Sequence, residues 1–351
     1  MNSFLSSLKV LEISSVLAGP AVGMYFAEKG AKVVKIENKT TGGDVTRSWK
    51  LKTEDKSSAT SAYFAAVNWH KEHQLLDFKD EESKELIKSL IEESDVIITN
   101  FKKGDAEKFK LDFNSVKELN ENVILAEISG YGAESDRVAF DLVLQADTGF
   151  MSMNGTADSG PVKMPVAFID LFAAHQLKEG ILEALIERSI NGGAYLVRVS
   201  LYDAAVSSLA NQATNFLIAN TIAKRIGSKH PNIAPYGEIF ETADGKSITF
   251  AIGSDKQFEG LCTYLGLDLH KSYNSNPLRV ENRLKIEKEI ADKVINFTAV
   301  DLEKSLIEKR VPVAIIKSLD QVLNSSEAKK LLLSDELGER VKTAVYNIER
   351  G

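Results

Sequence analysis

The sequence predicts an α/β protein, with a doubly wound, Rossmann-like large domain and a second, smaller α+β domain. Three observations carry this. Short apolar runs alternate with helical patterns through the first 200 residues. At 351 residues the chain is longer than one simple core organises. Near Arg225 the alternation gives way to a hairpin followed by helices.

The first unit sets the pattern. Leu8 to Ser14 reads as a buried strand, and Gly19-Pro20 breaks it, with Pro20 suited to a first helical turn. Ala21 to Lys29 is the expected helix, Gly30 its C-cap, and Ala31 to Glu37 the second strand, so a right-handed parallel unit follows. Glu82 to Glu93 reads as a helix with Leu86, Ile87, Leu90 and Ile91 on one face. Asp95 to Asn100 is a strand, Ser115 to Asn120 a short helix, and Asn122 to Ser129 a strand before Gly130-Tyr131-Gly132. Ligands in such sheets sit beyond the carboxyl ends of strands, where residues 15–20, 99–104 and 129–132 fall. Residues 152–165 are a loop, Leu171 to Ser189 a helix ended by Asn191-Gly192-Gly193, and Tyr195 to Leu201 a strand. Asp203 to Ala223 reads as one long helix.

In the second domain, Asp244-Gly245 turns a hairpin over Phe240 to Phe250. Helical patterns occupy 255–265, 280–297 and 301–309, Val311 to Ile316 is a strand, and Leu319 to Leu333 is helical. The tail from Arg340 to Arg350 is expected to pair back onto the first domain. The expected division is a large domain at 1–200 with a C-terminal return at 328–351, a linker helix at 201–224, and a small domain at 225–327.

Composition narrows the function. A net charge of −7 argues against a dedicated nucleic-acid binder, but not against a local basic pocket. The single cysteine, Cys262, excludes an internal disulfide or multi-cysteine metal site and reads as a buried structural thiol. No apolar run reaches the ~18–20 residues that span a bilayer, and the first residues lack a signal peptide's pattern, so a cytoplasmic enzyme is expected. Gly245-Lys246-Ser247 ends like a phosphate loop, but Phe240 stands where its first glycine belongs. Gly19 and Gly23 do not make a dinucleotide fingerprint, and no nucleophile elbow occurs. His70 and His73 read as solvated loop histidines rather than a zinc pair, so no metal is expected.

The remaining motifs recur in a specific order. They are Val16-Leu17-Ala18-Gly19-Pro20; Val33-Val34-Lys35-Ile36-Glu37 with Gly42-Gly43-Asp44; Asn68 and Lys71 with Leu76-Asp77-Phe78-Lys79; Thr99-Asn100-Phe101-Lys102-Lys103-Gly104; Phe140-Asp141-Leu142-Val143-Leu144-Gln145-Ala146 with Gly149-Phe150-Met151-Ser152; Val166-Ala167-Phe168-Ile169-Asp170-Leu171; and His230-Pro231 with Ala234-Pro235-Tyr236-Gly237 and Asp244-Gly245. Over about residues 7–325 this set resembles the class III CoA-transferases, a superfamily that includes the formyl-CoA and carnitine enzymes and the 2-methylacyl-CoA racemases. From local sequence alone Asp170 reads as the N-cap of a helix beginning near Leu171. By resemblance it stands where the family places its catalytic aspartate, a carboxylate that forms a covalent intermediate as coenzyme A moves from an acyl-CoA to a carboxylic acid. The resemblance implies that Val16, Leu17 and Ala18 approach the CoA nucleotide. It also implies that Lys39, Lys71, Asn100, Phe101, Lys102, Lys103 and Lys108 border its groove, and that Gln145 and Gly149 line the acyl end. It implies no permanently bound cofactor, CoA being substrate, and an interlocked homodimer.

Departures are visible. Glu72-His73 stand where the family carries Arg-Ser, Lys103 replaces a loop proline, only Gly227 marks the glycine-rich flap, and the C-terminal return is expected to be shortened. A racemase on the same fold is the nearest rival, but it needs a histidine where Phe140 stands, even though Asp255 aligns with its second acid. A CoA-binding protein without turnover is a further alternative. Arg47 and Arg137 read as surface residues, with a second substrate carboxylate as their other possible partner.

Overall fold

The computed structural model describes residues 4–349. They form two compact units. The first comprises the described residues through Met151, Lys163–Ile222 and those from Lys329 onward; the second comprises Ser152–Val162 and Ala223–Ala328.

The first unit is built on six parallel strands: β1 (Lys9–Ile13), β2 (Lys32–Asn38), β3 (Glu72–Leu76), β4 (Val96–Thr99), β5 (Ile124–Ser129) and β6 (Tyr195–Ser200). Their order is β3-β2-β1-β4-β5-β6, with Leu11 opposite both Val34 and Ile97. Side-chain alternation sends neighbours to opposite faces. Val10, Val33, Val96 and Ile98 join a core with the helices Ala18–Glu28 and Phe168–Asn191. Leu11, Val34 and Ile97 join a second core with Ile87 and Ile91 of the helix Glu81–Glu93. Both faces are therefore covered, as parallel sheets require.

The first helix starts three residues earlier than the sequence suggests, at Ala18, so Pro20 lies inside its first turn where a missing N–H costs nothing. Gly19 and Gly23 let it lie against β1. A Cβ at Gly19 would strike the Ser14 side chain, and one at Gly23 the Glu12 carboxylate. These glycines serve close helix–sheet approach.

Several expectations are corrected. The strand β3 has no counterpart in the sequence pattern, because Glu72-His73-Gln74 shows no apolar alternation; it survives as a half-exposed edge. His73 consequently sits on a strand opposite Lys35, not in a solvated loop, and its Nδ1 lies 2.9 Å from Glu37. The linker helix expected at 201–224 is two helices, Leu201–Ser207 and Ala210–Ala219. The first buries Leu201, Ala204 and Ala205, the second buries nothing, and Ala210, the first residue of the second, stands left-handed at φ 46°. The helix expected over 319–333 is Leu319–Leu323 and Ser326–Lys329, followed by a hairpin of β10 (Leu332–Asp335) and β11 (Gly338–Val341). Beyond that hairpin the Glu28 carboxylate accepts the N–H groups of Thr343 and Ala344, each at 2.8 Å.

In the second unit, β7 (Tyr236–Glu241), β8 (Ser247–Ala251) and β9 (Val313–Ile315) form an antiparallel sheet. It packs with the helices Asp255–Leu265, Arg283–Val294 and Ala299–Glu308 around Phe250, Phe258, Ile290 and Leu302. Cys262 is buried in this core, and burial pushes its thiol up to about 12. No described helix is long and apolar enough to cross a membrane.

Candidate active site

The strand order reverses between β1 and β4, and the loops leaving their carboxyl ends diverge there to open a crevice. A cavity of about 370 Å³ occupies it, lined by Val16, Leu17 and Ala18 after β1, by Asn100, Phe101 and Lys102 after β4, and by Gly130 after β5. Asp170 reaches the same cavity from the helix Phe168–Asn191.

Asp170 is 7% exposed and is the third residue of its helix, not its N-cap. Ala167 holds the cap position and offers no side-chain bond. The missing cap comes from Asp141, whose Oδ2 accepts the Ile169 N–H at 2.7 Å and the Asp170 N–H at 3.3 Å. Gln145, one turn along the helix Asp141–Asp147, donates Nε2 to Asp141 Oδ1 and accepts the Met164 N–H at 2.8 Å. Thus a buried carboxylate organises the helix end that presents a second one. Burial, and then the charge of Asp141, push the Asp170 carboxyl up to about 7. Among the described residues no side chain donates a hydrogen bond to it. A carboxylate this poorly solvated is a stronger nucleophile than one in water, while the helix N-terminus favours its charge.

Tyr63 belongs to the same neighbourhood and escaped the sequence reading. Its phenol is raised by burial and then by Asp170, Asp141 and Asp44. Trp49 packs edge-on against its ring at 5.1 Å.

The other candidate residues divide. Asn100 spends its amide on the β1 loop, accepting the Ser15 N–H at 3.1 Å and donating to the Ser15 carbonyl at 2.9 Å. Phe101 is half-buried, held edge-to-face by Phe78, and Lys102 is exposed at the cavity. Lys39 instead borders a separate depression with Leu75 and Asp77. Lys108 lies over the Phe109 ring, 5.1 Å from its centre, and is not among the residues lining the crevice cavity. Gln145 and Gly149, expected to line the acyl end, are not among the residues lining the cavity; Gly149 stands at φ 91° between two short helices.

Lys71 is the clearest correction. It presents no cation to the crevice: its ammonium is buried, 2.7 Å from Glu12 Oε2, and donates to the Pro20 carbonyl at 2.9 Å and Asn68 Oδ1 at 3.0 Å. Arg47 is likewise engaged, bidentate to Glu37 at 2.7 and 2.6 Å. Arg137 lines the cavity while paired to Asp147 at 2.8 Å. Asp255 pairs with the buried Arg279 at 2.6 Å.

A parallel-sheet enzyme with a desolvated carboxylate at the sheet's switch point is equipped to attack an activated carbonyl. Comparison with known proteins specifies which kind. The family model for CoA-transferase family III matches residues 5–345, and the chain belongs to that family. It is 35% identical over 327 residues to the succinate–glutarate CoA-transferase of Agrobacterium fabrum (strain C58 / ATCC 33970), covering 91% of this chain and 81% of that protein. It is 34% identical over 329 residues to the succinyl-CoA:mesaconate CoA-transferase of Haloarcula hispanica, covering 91% and 82%. The crystal structure of a CAIB/BAIF family protein from Brucella suis superposes with a TM-score of 0.85 at 34% identity, over 99% of this chain and 93% of that one. The chain is thus a CoA-transferase that moves coenzyme A between an acyl-CoA and a carboxylic acid.

Proposed function

We propose that transfer runs through Asp170 and that both acids are short dicarboxylates, with succinyl-CoA as donor. The observation that carries the first part is the buried carboxyl at the switch-point cavity, raised to about 7 and, among the described residues, accepting no side-chain hydrogen bond. The names of the relatives support the second.

The steps balance without redox change. An Asp170 oxygen attacks the thioester carbonyl, the C–S bond breaks, and CoA thiolate leaves an acyl-aspartyl anhydride. The thiolate attacks the Asp170 carbonyl carbon, expelling the donor acid as carboxylate and leaving an aspartyl-CoA thioester. The acceptor carboxylate attacks that thioester, forming a second anhydride and freeing the thiolate again. The thiolate then takes the acceptor acyl group and restores Asp170. Val16, Leu17, Ala18, Phe101 and Lys102 hold the CoA portion in this scheme, and Asn100 acts through the loop it binds. In this reading the first unit is the CoA-binding domain, the active species a homodimer, and the compartment the cytoplasm.

A panel of acyl-CoA donors and free acids, followed by chromatography of the CoA esters, tests this. Succinyl-CoA with glutarate or mesaconate is expected to react fastest. Exchange of an α-proton in deuterated water without CoA transfer would support a racemase instead, and CoA binding without either reaction would support a non-catalytic protein.

The pH profile follows from the same geometry. Asp170 attacks only when ionised, so kcat/KM of the free enzyme should rise through about pH 7 and then level off. Asp141→Asn removes the second cause of the raised value, so the acid limb should move to lower pH. An unmoved limb in Asp141→Asn would show that another group governs it.

A further inference from the structure

Four consecutive main-chain polar groups in the β1 loop are held by side chains from elsewhere. Lys35 Nζ donates to the Ser14 carbonyl at 2.6 Å. Asn100 takes both the N–H and the carbonyl of Ser15. Asp44 accepts the Val16 N–H, at 3.2 Å to Oδ2 and 3.4 Å to Oδ1. A loop so completely tied has its conformation imposed on it.

That conformation is unusual. Val16 stands at φ 73°, in the left-handed region that a β-branched residue enters only under strain. Glycine or asparagine would sit there freely, and surrounding structure must hold valine in place. Asp44 is built to do so. It is 4% exposed, its Oδ2 lies 3.2 Å from the Lys35 ammonium, and its Oδ1 accepts the Thr46 N–H at 3.0 Å and hydroxyl at 2.7 Å. Its own N–H is bound by Glu37 at 2.8 Å. Lys35 is in turn fixed 2.8 Å from Glu12, inside the core. A rigid chain of charges thus runs from the sheet to the N–H of a residue that lines the cavity.

We infer that Asp44 is a positioning residue for CoA transfer: anchored by Lys35 and Thr46, its carboxylate grips the Val16 N–H and holds the turn that presents Leu17 and Ala18 to the acyl-CoA. This rests on the reading above that the loop meets the CoA portion. Asp44 acts before the chemistry and touches no reacting atom, so its removal loosens binding of the CoA ester and leaves the attack by Asp170 nearly intact.

Steady-state kinetics of the full chain with succinyl-CoA and glutarate, with calorimetric titration of free CoA, tests this in Asp44→Ala, Asp44→Asn, Val16→Gly and the Val16→Gly/Asp44→Ala double variant. Asp44→Ala should raise KM for succinyl-CoA and Kd for CoA by roughly tenfold while kcat changes far less. Asp44→Asn keeps one acceptor oxygen and should fall between. In the Val16→Gly background the Asp44→Ala penalty should shrink severalfold, because glycine needs no clamp. A merely structural role gives the same penalty in both backgrounds and would overturn the inference, as would a wild-type KM in folded Asp44→Asn. If Asp44→Ala does not fold, the isosteric Asp44→Asn decides by its KM-against-kcat split. Wild-type protein that transfers CoA while the variants keep its KM defeats this inference alone; wild-type protein that transfers none defeats the functional reading as well.

Discussion

Asp170→Asn should lower CoA transfer by about 10³-fold or more while leaving the affinity for CoA within a few-fold of wild type. The amide matches the carboxylate in size and leaves the Asp141 bonds to the helix end in place, since those are made by the backbone. Only the nucleophilic oxygen is lost. The same variant should be more stable than wild type above neutral pH. A carboxyl raised from 3.8 to about 7 favours the proton-bearing folded form, so ionising it costs folding free energy. The cost is absent below about pH 4, grows as pH rises, and is complete above about pH 7, where it is roughly a few kcal/mol. The unfolding midpoint of Asp170→Asn should therefore exceed that of wild type at pH 8 and converge with it near pH 4. Equal midpoints at pH 8 would mean the carboxyl is better solvated than its surroundings imply.

Glu12→Ala should be among the most damaging substitutions for stability. Glu12 lies on β1 with a fully buried side chain and holds Lys35 at 2.8 Å and Lys71 at 2.7 Å, both equally buried. Burial opposes its charge, but the two lysines outweigh that and hold its carboxyl below the usual range. Burial, aided by Lys35, draws Lys71 down to about 8 even with Glu12 beside it. Removing the anion strips Lys71 of the carboxylate it pairs with and leaves Lys35 with Asp44 alone, and breaking such a buried pair costs about 3–5 kcal/mol. Urea unfolding at neutral pH measures this directly. A loss below about 0.5 kcal/mol would show that the remaining partners of the lysines suffice.

The sequence was legible where structure is local. The β1 strand, the amphipathic helix over residues 81–93 and the Asp-Gly hairpin are each written within a dozen residues, in periodicity and turn chemistry, whereas Gly19-Pro20, expected to break β1, lie inside the helix that follows it. β3 was hidden because an edge strand needs no apolar face, and the break before Ala210 because it depends on where burial stops. At the site, Asp170 was visible through the ordered motifs rather than through its neighbours, which suggest a cap. The actual cap, Asp141, lies 29 residues away, a partnership that no local pattern displays. Lys71 shows the converse. Its charge suggested an anion ligand, but its counter-ion waits on β1, and only the fold brings Glu12 to it. Asp44 is visible in the sequence only as part of a motif, while its grip on Val16 depends on two loops meeting.

The most direct test of transfer through Asp170 is chemical trapping. Protein mixed with succinyl-CoA is quenched in hydroxylamine, digested, and mapped by mass spectrometry. An activated Asp170 carbonyl should appear as a hydroxamate on the peptide containing residues 166–171, in an amount that tracks turnover and vanishes in Asp170→Asn. Rapid transfer with that peptide unmodified would contradict the covalent route.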